Sequence, residues 1–397
     1  MKLFLFILGW LILVSSEILR VYFIMPFPGS QEANTIEIAY FIDQYIWLFR
    51  MLGIAVIALP AFHFLKSTNV WIKWPVIVVL SFWLLVVYLF NFRFLADKMF
   101  YQPETKIVQK LEKNKVPLKQ LVVGVVINGE SKAYPIEIIG YHHQVRDTLG
   151  GQPIMVTYCT VCRTGRVYAP VVNGKPEEFR LVGMDHYNAM FEDKSTGSWW
   201  RQVNGEAIIG KLKGTFLPEI ESEQMTLQAW SKKYPETGVL QPDSLFLDAY
   251  EGLDLYDEGK MKGRLEGTDS VSWGEKAWVV GLQVQEEPRA YDWIELSKVR
   301  VVNDEVAGMP LTVWIEPDSA SFHSYQRIVD GDTLEFSLSN SAQNVLDTKT
   351  NSIWSWDGRC LEGALQGKQL KSIPSYQEYW HSWRTFRPKT SQYRIAK

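Results

Sequence analysis

The stretch WPVIVVLSFWLLVVYLFNF, Trp74 to Phe92, carries no charged residue and comes close to the ~20 residues a helix needs to cross the hydrocarbon of a bilayer. In that medium every backbone N–H and C=O has to be paired, which a single segment achieves only as an α-helix. A second apolar segment, YIWLFRMLGIAVIALPAFHFL, Tyr45 to Leu65, is interrupted only by Arg50 near one end and by Pro60. A snorkelling arginine and a kinked helix accommodate both. The first segment, LFLFILGWLILVSS, Leu3 to Ser16, is shorter. It reads either as a cleaved signal peptide or as a helix running on through Glu17 and Arg20, which neutralise each other at i,i+3 spacing, and its length favours the uncleaved helix.

The expectation is a membrane anchor over residues 1–98, with spans at about 3–26, 45–65 and 72–93. The connection from Pro28 to Gln44 carries Glu32, Glu37 and Asp43 but no Lys or Arg, whereas the turn between the next two spans carries Lys66 and Lys73. The positive-inside rule then puts the N-terminus in the cytoplasm and everything after about residue 95 outside it. Glu17, Arg20 and Arg50 fall near the outer ends of their helices and read as an anchoring ion-pair cluster. So few buried charges make a poor transporter.

Composition removes other classes. The net charge is −3, and no basic stripe with interleaved aromatics is present, so no nucleic-acid partner is expected. Three cysteines in 397 residues do not make a disulfide framework. The pair Cys159 and Cys162 in VTYCTVCRTG is therefore local chemistry.

The region after the anchor reads as one unit written twice. VVGVVINGESKAYPIEIIGYHHQVRDTLGGQPIMV, from Val122, lines up without a gap on VVGLQVQEEPRAYDWIELSKVRVVNDEVAGMPLTV, from Val279. Gly124 meets Gly281, Tyr134 meets Tyr291, Asp147 meets Asp304 and Pro153 meets Pro310. Further on, Asp193 meets Asp347, and Gly205, Gly210 and Gly214 fall on Gly358, Gly363 and Gly367. Trp230, Pro235 and Thr237 fall on Trp383, Pro388 and Thr390. Each copy consists of short apolar runs rich in Val, Ile, Tyr and Trp, broken by Asn-Gly, Gly-Gly and Asp-Gly signals, with helical spacing only near its end. The expected fold is a set of N-terminal transmembrane α-helices followed by a mainly β (α+β) soluble region of two tandem homologous repeats. These cover 118–240 and 273–395, joined by an acidic, Gly-rich linker or outer decoration over 241–272.

Residues the copies share should serve the fold; residues confined to one copy are candidates for function. Cys159 falls on Glu316, Cys162 on Ser319, His142 on Val299, His143 on Arg300 and His186 on Asn340. The thiol pair and three histidines thus belong to the first copy alone, and the second copy is degenerate at these positions. Cys360 replaces Ala207 beside a glycine and reads as a packed free thiol.

The runs HHQVRDTLGGQPIMVTYCTVCRTGRVY, DKSTGSWWRQVNGEAIIGKLKG and EYWHSWRTFRPKT resemble the bacterial DUF3179 family, a domain of unknown function, over about residues 118–395. The resemblance carries the family's His onto His142 and its Tyr-Cys-Pro-Leu-Cys-Gly-Thr core onto Tyr158, Cys159, Cys162 and Thr164. This chain departs from that core with Thr160 for proline and Arg163 for glycine. The resemblance implies a bacterial protein, and with the spans it implies the inner (plasma) membrane with a large extracytoplasmic domain.

Three readings of the thiol pair stay open. Two thiolates on one turn form half of a metal knuckle, completed by His142, with His143 and His186 as weaker ligands, and such a soft S,N set suits copper or zinc. The pair also suits thiol–disulfide exchange, with Cys159 and Cys162 catalytic, since a neighbouring cation such as Arg163 favours thiolate. VTYCTVCRTGRVYAP reads as strand, turn, strand, however, whereas the redox motif usually opens a helix. The third reading is a structural disulfide in a non-catalytic envelope interaction module. Arg163 stands where a haem-attachment motif has His, so no haem is expected, and no nucleotide either. Expected partners are the membrane and an envelope protein or metal donor or acceptor.

Overall fold

Residues 1–339 and 341–395 are described in the computed structural model of the chain. Asn340, the counterpart of His186 in the repeat alignment, lies outside the described residues. The chain groups into two units. One comprises 1–101, 177–201 and 206–216; the other comprises 102–176, 202–205 and the described residues from 217 onward.

In the first unit, helices α1 (Lys2–Tyr22), α2 (Ile36–Gln44), α3 (Ile46–Leu65) and α4 (Val70–Phe92) follow one another, and α1, α3 and α4 are long and apolar enough to cross a membrane. The first span ends at Tyr22, short of the expected residue 26, and keeps Glu17 and Arg20 inside the helix. Helices α1 and α3 approach closely because glycines face each other's side chains: a Cβ on Gly53 would lie 2.6 Å from Leu13 Cγ. Small residues at such crossings let backbones meet. The charged cluster forms at one level. Glu17 is buried and accepts from Arg50 Nε at 2.6 Å and from Asn91 Nδ2 at 2.9 Å, while Asn91 Oδ1 accepts from Arg20 Nη2 at 2.7 Å. Asn91 shares both signs of charge, which removes the cost of an isolated ion in an apolar setting.

The same unit holds an antiparallel sheet of strands Phe179–Asp185, Asn188–Asp193, Trp199–Arg201 and Ala207–Ile209. Sequence placed this segment in the first repeat, yet it groups with the helices. Met184 N donates to Ile24 O at 2.6 Å, and Tyr40 meets the Trp199 ring edge-on at 5.0 Å. The Asp193 turn caps itself: its carboxylate accepts from Thr196 N, Ser198 N and Trp200 Nε1, the last at 2.9 Å, pinning the indole.

The second unit is mainly β. Strands β1 (Leu121–Ile127) and β2 (Glu130–Pro135) form the Asn-Gly hairpin, and α5 (Ile136–His142) leads to β3 (Gln144–Leu149), β4 (Gln152–Cys159) and β5 (Thr164–Tyr168). Strand β6 (Ser222–Thr226) pairs antiparallel with β1, α6 (Leu227–Lys233) follows it, and β7 (Gly238–Leu240) runs parallel to β2. Beyond residue 270 come β8 (Trp278–Val284), β9 (Glu287–Asp292), α7 (Trp293–Val299), β10 (Val301–Val306), β11 (Met309–Ile315) and β12 (Phe322–Gln326). Next, β13 (Ser375–Tyr379) pairs antiparallel with β8, α8 (Trp380–Phe386) follows, and β14 (Ser391–Tyr393) runs parallel to β9.

Matching contacts recur in the two halves. A Cβ on Gly124 would lie 2.3 Å from the Trp230 ring, and one on Gly281 would lie 2.3 Å from the Trp383 ring. Each indole donates to a threonine at 2.8 Å, Trp230 to Thr237 and Trp383 to Thr390. Tyr134 donates to Asp147 and Tyr291 to Asp304, both at 2.8 Å. The glycine in each first strand exists so that the indole of the later helix can lie flat on the sheet; any side chain there would occupy the ring's volume.

Candidate functional site

Strand β4 is buried from Ile154 to its last residue, Cys159, which pairs with Thr164 across the hairpin. Residues 160–163 close that hairpin, so the thiol pair sits on strand, turn and strand, as its sequence reads. Both cysteines are buried. Arg163 holds φ at +54°, the left-handed region in which glycine, the residue of the family pattern, is free of strain.

Arg163 compensates through its side chain. The guanidinium is buried 3.7 Å over the Trp278 ring and donates to Gln377 Oε1 at 2.9 Å, Tyr256 O at 3.0 Å and Asp257 O at 3.1 Å. A planar, weakly hydrated cation suits such a stacked and fully bonded slot. It is thus engaged with carbonyls and rings, a role its position next to Cys162 did not reveal.

The turn's backbone is held from outside the hairpin. Thr160 O accepts from the Tyr256 hydroxyl at 2.8 Å, Val161 O from His381 Nε2 at 3.2 Å and Cys162 O from Tyr379 N at 2.9 Å. Three consecutive buried carbonyls each receive a donor, as buried backbone requires. Tyr256 comes from the segment read as an acidic linker, and Tyr250 and Tyr256 are both buried there, so that stretch packs over the turn as part of the core. Its aromatic residues were the available signal.

Two further groups stand near the turn. Lys276 lies close enough to Cys162 and Cys159 to feel charge on either; burial pushes its ammonium below the usual lysine range, against the pull of Glu266, Cys162, Asp269 and Cys159. His381 is pushed down to about 4 by burial and by the Lys276 charge. Because Val161 O can only accept, the neutral ring carries its proton on Nε2 and its lone pair on Nδ1. Burial also raises Asp257, whose carboxylate accepts from Leu121 N at 2.7 Å, to about 6, and Glu137 to about 7. Lys276 and His381 escaped the sequence reading because they lie in the second half, away from the Cys-x-x-Cys motif.

The predicted histidines separate. His142 ends α5, is buried, and its Nε2 meets the Tyr250 hydroxyl at 2.6 Å. Tyr158 N donates to His143 O at 3.0 Å, next to the pair Gln144 and Thr157. His143 adopts φ +61°, bonds Tyr141 O through Nδ1 at 3.2 Å and is pushed by burial down to about 4. His186 belongs to the other unit, where Nδ1 meets Asp185 at 2.7 Å and Arg201 pairs with the same carboxylate at 2.6 Å. Among the described residues no group of three or more His, Cys, Asp and Glu side chains is arranged to hold a metal ion. Cys360 is a buried free thiol donating to Glu362 O at 3.3 Å, and burial raises it.

Residues 101–390 match the model of a family described as a protein of unknown function, DUF3179. No curated protein and no solved structure matches the chain at a significant level.

Proposed function

The chain belongs to the DUF3179 family, and on that premise we propose that it is a membrane-anchored, extracytoplasmic protein whose Cys159–Cys162 pair handles a soft transition-metal ion, copper(I). The observation that carries this is the pair itself: two buried thiols, Cys159 at the end of β4 and Cys162 in the turn that follows, beside a half-buried lysine ammonium. Soft thiolates select copper(I) among transition ions. Two thiolates and one copper(I) leave a single negative charge, which Lys276 offsets. His142 is the candidate imidazole; the carbonyl of its neighbour His143 accepts from the N–H of Tyr158, the residue before Cys159. Zinc takes four protein ligands in a closed site and three in an open one, and among the described residues no group of three converges.

The charge distribution of the connections supports an outside location: Glu32, Glu37 and Asp43 lie before α3, and Lys66 and Lys73 lie around the turn to α4. The paired Gly–Trp, Trp–Thr and Tyr–Asp contacts support an origin by tandem duplication, with the thiol site kept in one copy.

The test is metal content, by mass spectrometry, of the full chain purified in detergent without chelator, beside a Cys159→Ser variant. Near-stoichiometric copper that the variant loses is the expected result. Copper-free protein after reconstitution with copper(I) overturns the reading. Lys276 favours a second reading, thiol–disulfide exchange, since a cation beside a thiol promotes thiolate. There Cys159 and Cys162 form their disulfide while a partner's disulfide takes up the two electrons and two protons.

A further inference from the structure

Helix α2 is held on one side and open on another. Ala39 and Ile42 are buried, the Tyr40 hydroxyl donates to Gly197 O at 3.2 Å beside the Trp199 ring, and Lys213 donates to Glu37 at 3.0 Å. These contacts tie α2 to the antiparallel sheet of the same unit. Asp43 pairs with Arg20 at 3.4 Å, so the helix also lies at the level of the Glu17, Arg50 and Asn91 cluster. Its open side carries Ile38, Phe41 and Tyr45, which are 52%, 55% and 45% exposed. Their i, i+3, i+7 spacing puts the three on one face. The stripe continues beyond the helix. Tyr45 N donates to Phe41 O at 3.1 Å and Tyr45 O accepts from Leu48 N at 2.9 Å, so α2 runs into α3 with one residue between them. Phe41 meets the Phe49 ring edge-on at 6.0 Å, and Trp47, Leu48 and Met51 extend the exposed apolar surface along α3.

From this continuity we infer that α2 is an interfacial helix: it lies in the outer boundary of the bilayer, with Ile38, Phe41 and Tyr45 in lipid and the sheet bonded to its other side. A helix of this kind presents an apolar stripe bordered by polar residues, here the exposed Glu37 and Gln44, and sinks that stripe about 5–10 Å into the boundary between headgroups and chains. Aromatic rings gather where a span leaves the hydrocarbon, and Phe41, Tyr45, Trp47 and Phe49 stand at that end of α3. The Glu37–Lys213 pair, whose side chains are both exposed, lies on the water side. Lipid is the occupant because the stripe passes without a break onto a helix long and apolar enough to cross a membrane, and a contiguous exposed apolar surface marks an interaction site. The inference rests on the membrane-anchored reading. It adds that the sheet tied to α2 is fixed at the lipid surface.

The experiment uses the full chain with the photocrosslinker p-benzoylphenylalanine placed singly at Ile38, Phe41, Tyr45, Glu37 or Leu84. Each variant is reconstituted in vesicles of phosphatidylethanolamine and phosphatidylglycerol, irradiated, and read by mass spectrometry for lipid adducts. All five positions are exposed, so the replacements leave the packed interior intact. Leu84, within α4, reports the span itself. The expected result is lipid adducts at Ile38, Phe41 and Tyr45 in yields comparable with Leu84, and a several-fold lower yield at Glu37. Adducts at Leu84 without adducts at the three stripe positions overturn the inference and leave the anchor standing. Crosslinks from the stripe to a second copy of the chain or to another protein in place of lipid overturn it as well, as does a yield at Glu37 equal to that of the stripe. No lipid adduct at Leu84 removes the membrane-anchored reading, and the inference with it.

Discussion

Gln224 Nε2 donates to Gln377 Oε1 at 3.0 Å, and the two glutamines hold corresponding places in their sheets: Gln224 lies opposite Val123 in β1, and Gln377 lies opposite Val280 in β8. The two halves therefore meet through the same residue type at the same strand position. Gln377 Oε1 also accepts from Arg163 Nε at 2.9 Å, which ties this contact to the thiol turn.

The two glutamines should differ in cost. Gln377→Leu strands two buried donors, one of them charged, whereas Gln224→Leu removes one donor and leaves Arg163 its acceptor. An unsatisfied buried group costs about 1–3 kcal/mol, so the first variant should lose that much more stability than the second in denaturant unfolding. Equal losses would show that the Arg163 bond contributes nothing.

Arg163→Gly relaxes a left-handed backbone, which by itself is favourable by about 1 kcal/mol. It also deletes a guanidinium that three acceptors and the Trp278 face surround. The net expectation is a destabilisation of about 1–3 kcal/mol, together with faster labelling of Cys162. A variant as stable as wild type would mean that the buried arginine is dispensable.

Gly281→Ala places a methyl 2.3 Å from the Trp383 ring, and the indole, bonded to Thr390, has little room to yield. Overpacking of this kind costs about 1–3 kcal/mol. A drop in the thermal midpoint checks it, and Gly124→Ala against Trp230 should behave alike.

Stability should depend on pH in two opposing ways. Asp257 titrates near 6 in the folded chain, above the ordinary carboxylate value. The folded state therefore binds its proton more tightly, and this contribution to stability, present at acid pH, is lost as pH rises from about 4 through 6. Its size is roughly 3 kcal/mol. His381, held near 4, acts in reverse, because the unfolded chain binds its proton more readily, so stability rises over about pH 4 to 6.5. Asp257→Asn should remove part of the falling limb, Glu137, raised to about 7, supplying more of it, and His381→Gln part of the rising one, to which His143 also contributes. Unfolding free energies across pH 4 to 8 decide; an unchanged profile in Asp257→Asn would show that burial does not raise this carboxyl.

Much was legible along the chain because it follows from local rules. The three apolar helices are a matter of length and charge, and the β1–β2 hairpin follows from an Asn-Gly turn between apolar runs. The strand–turn–strand setting of the cysteines was readable for the same reason. The surroundings of that turn were not. Tyr256 lay in a stretch whose acidity suggested solvent, yet it is buried, and the half-buried Asp257 turns its carboxylate inward to accept from Leu121 N. His142 was read as a ligand from a motif, and the structure adds a tyrosine hydroxyl at 2.6 Å.

By itself the sequence determined which segments are apolar enough to cross a membrane, which periods favour strands, and where two thiols share a turn, since hydropathy, turn chemistry and spacing are properties of neighbouring residues. Only the tertiary structure decided that Lys276, Tyr379 and His381 stand at that turn, that residues 177–201 and 206–216 group with the helices, and that Arg163 faces rings and carbonyls. These depend on which buried donors and charges find partners across more than a hundred residues of chain. That selection is made by the packed interior, where an unpaired polar group is costly, and no local pattern records it.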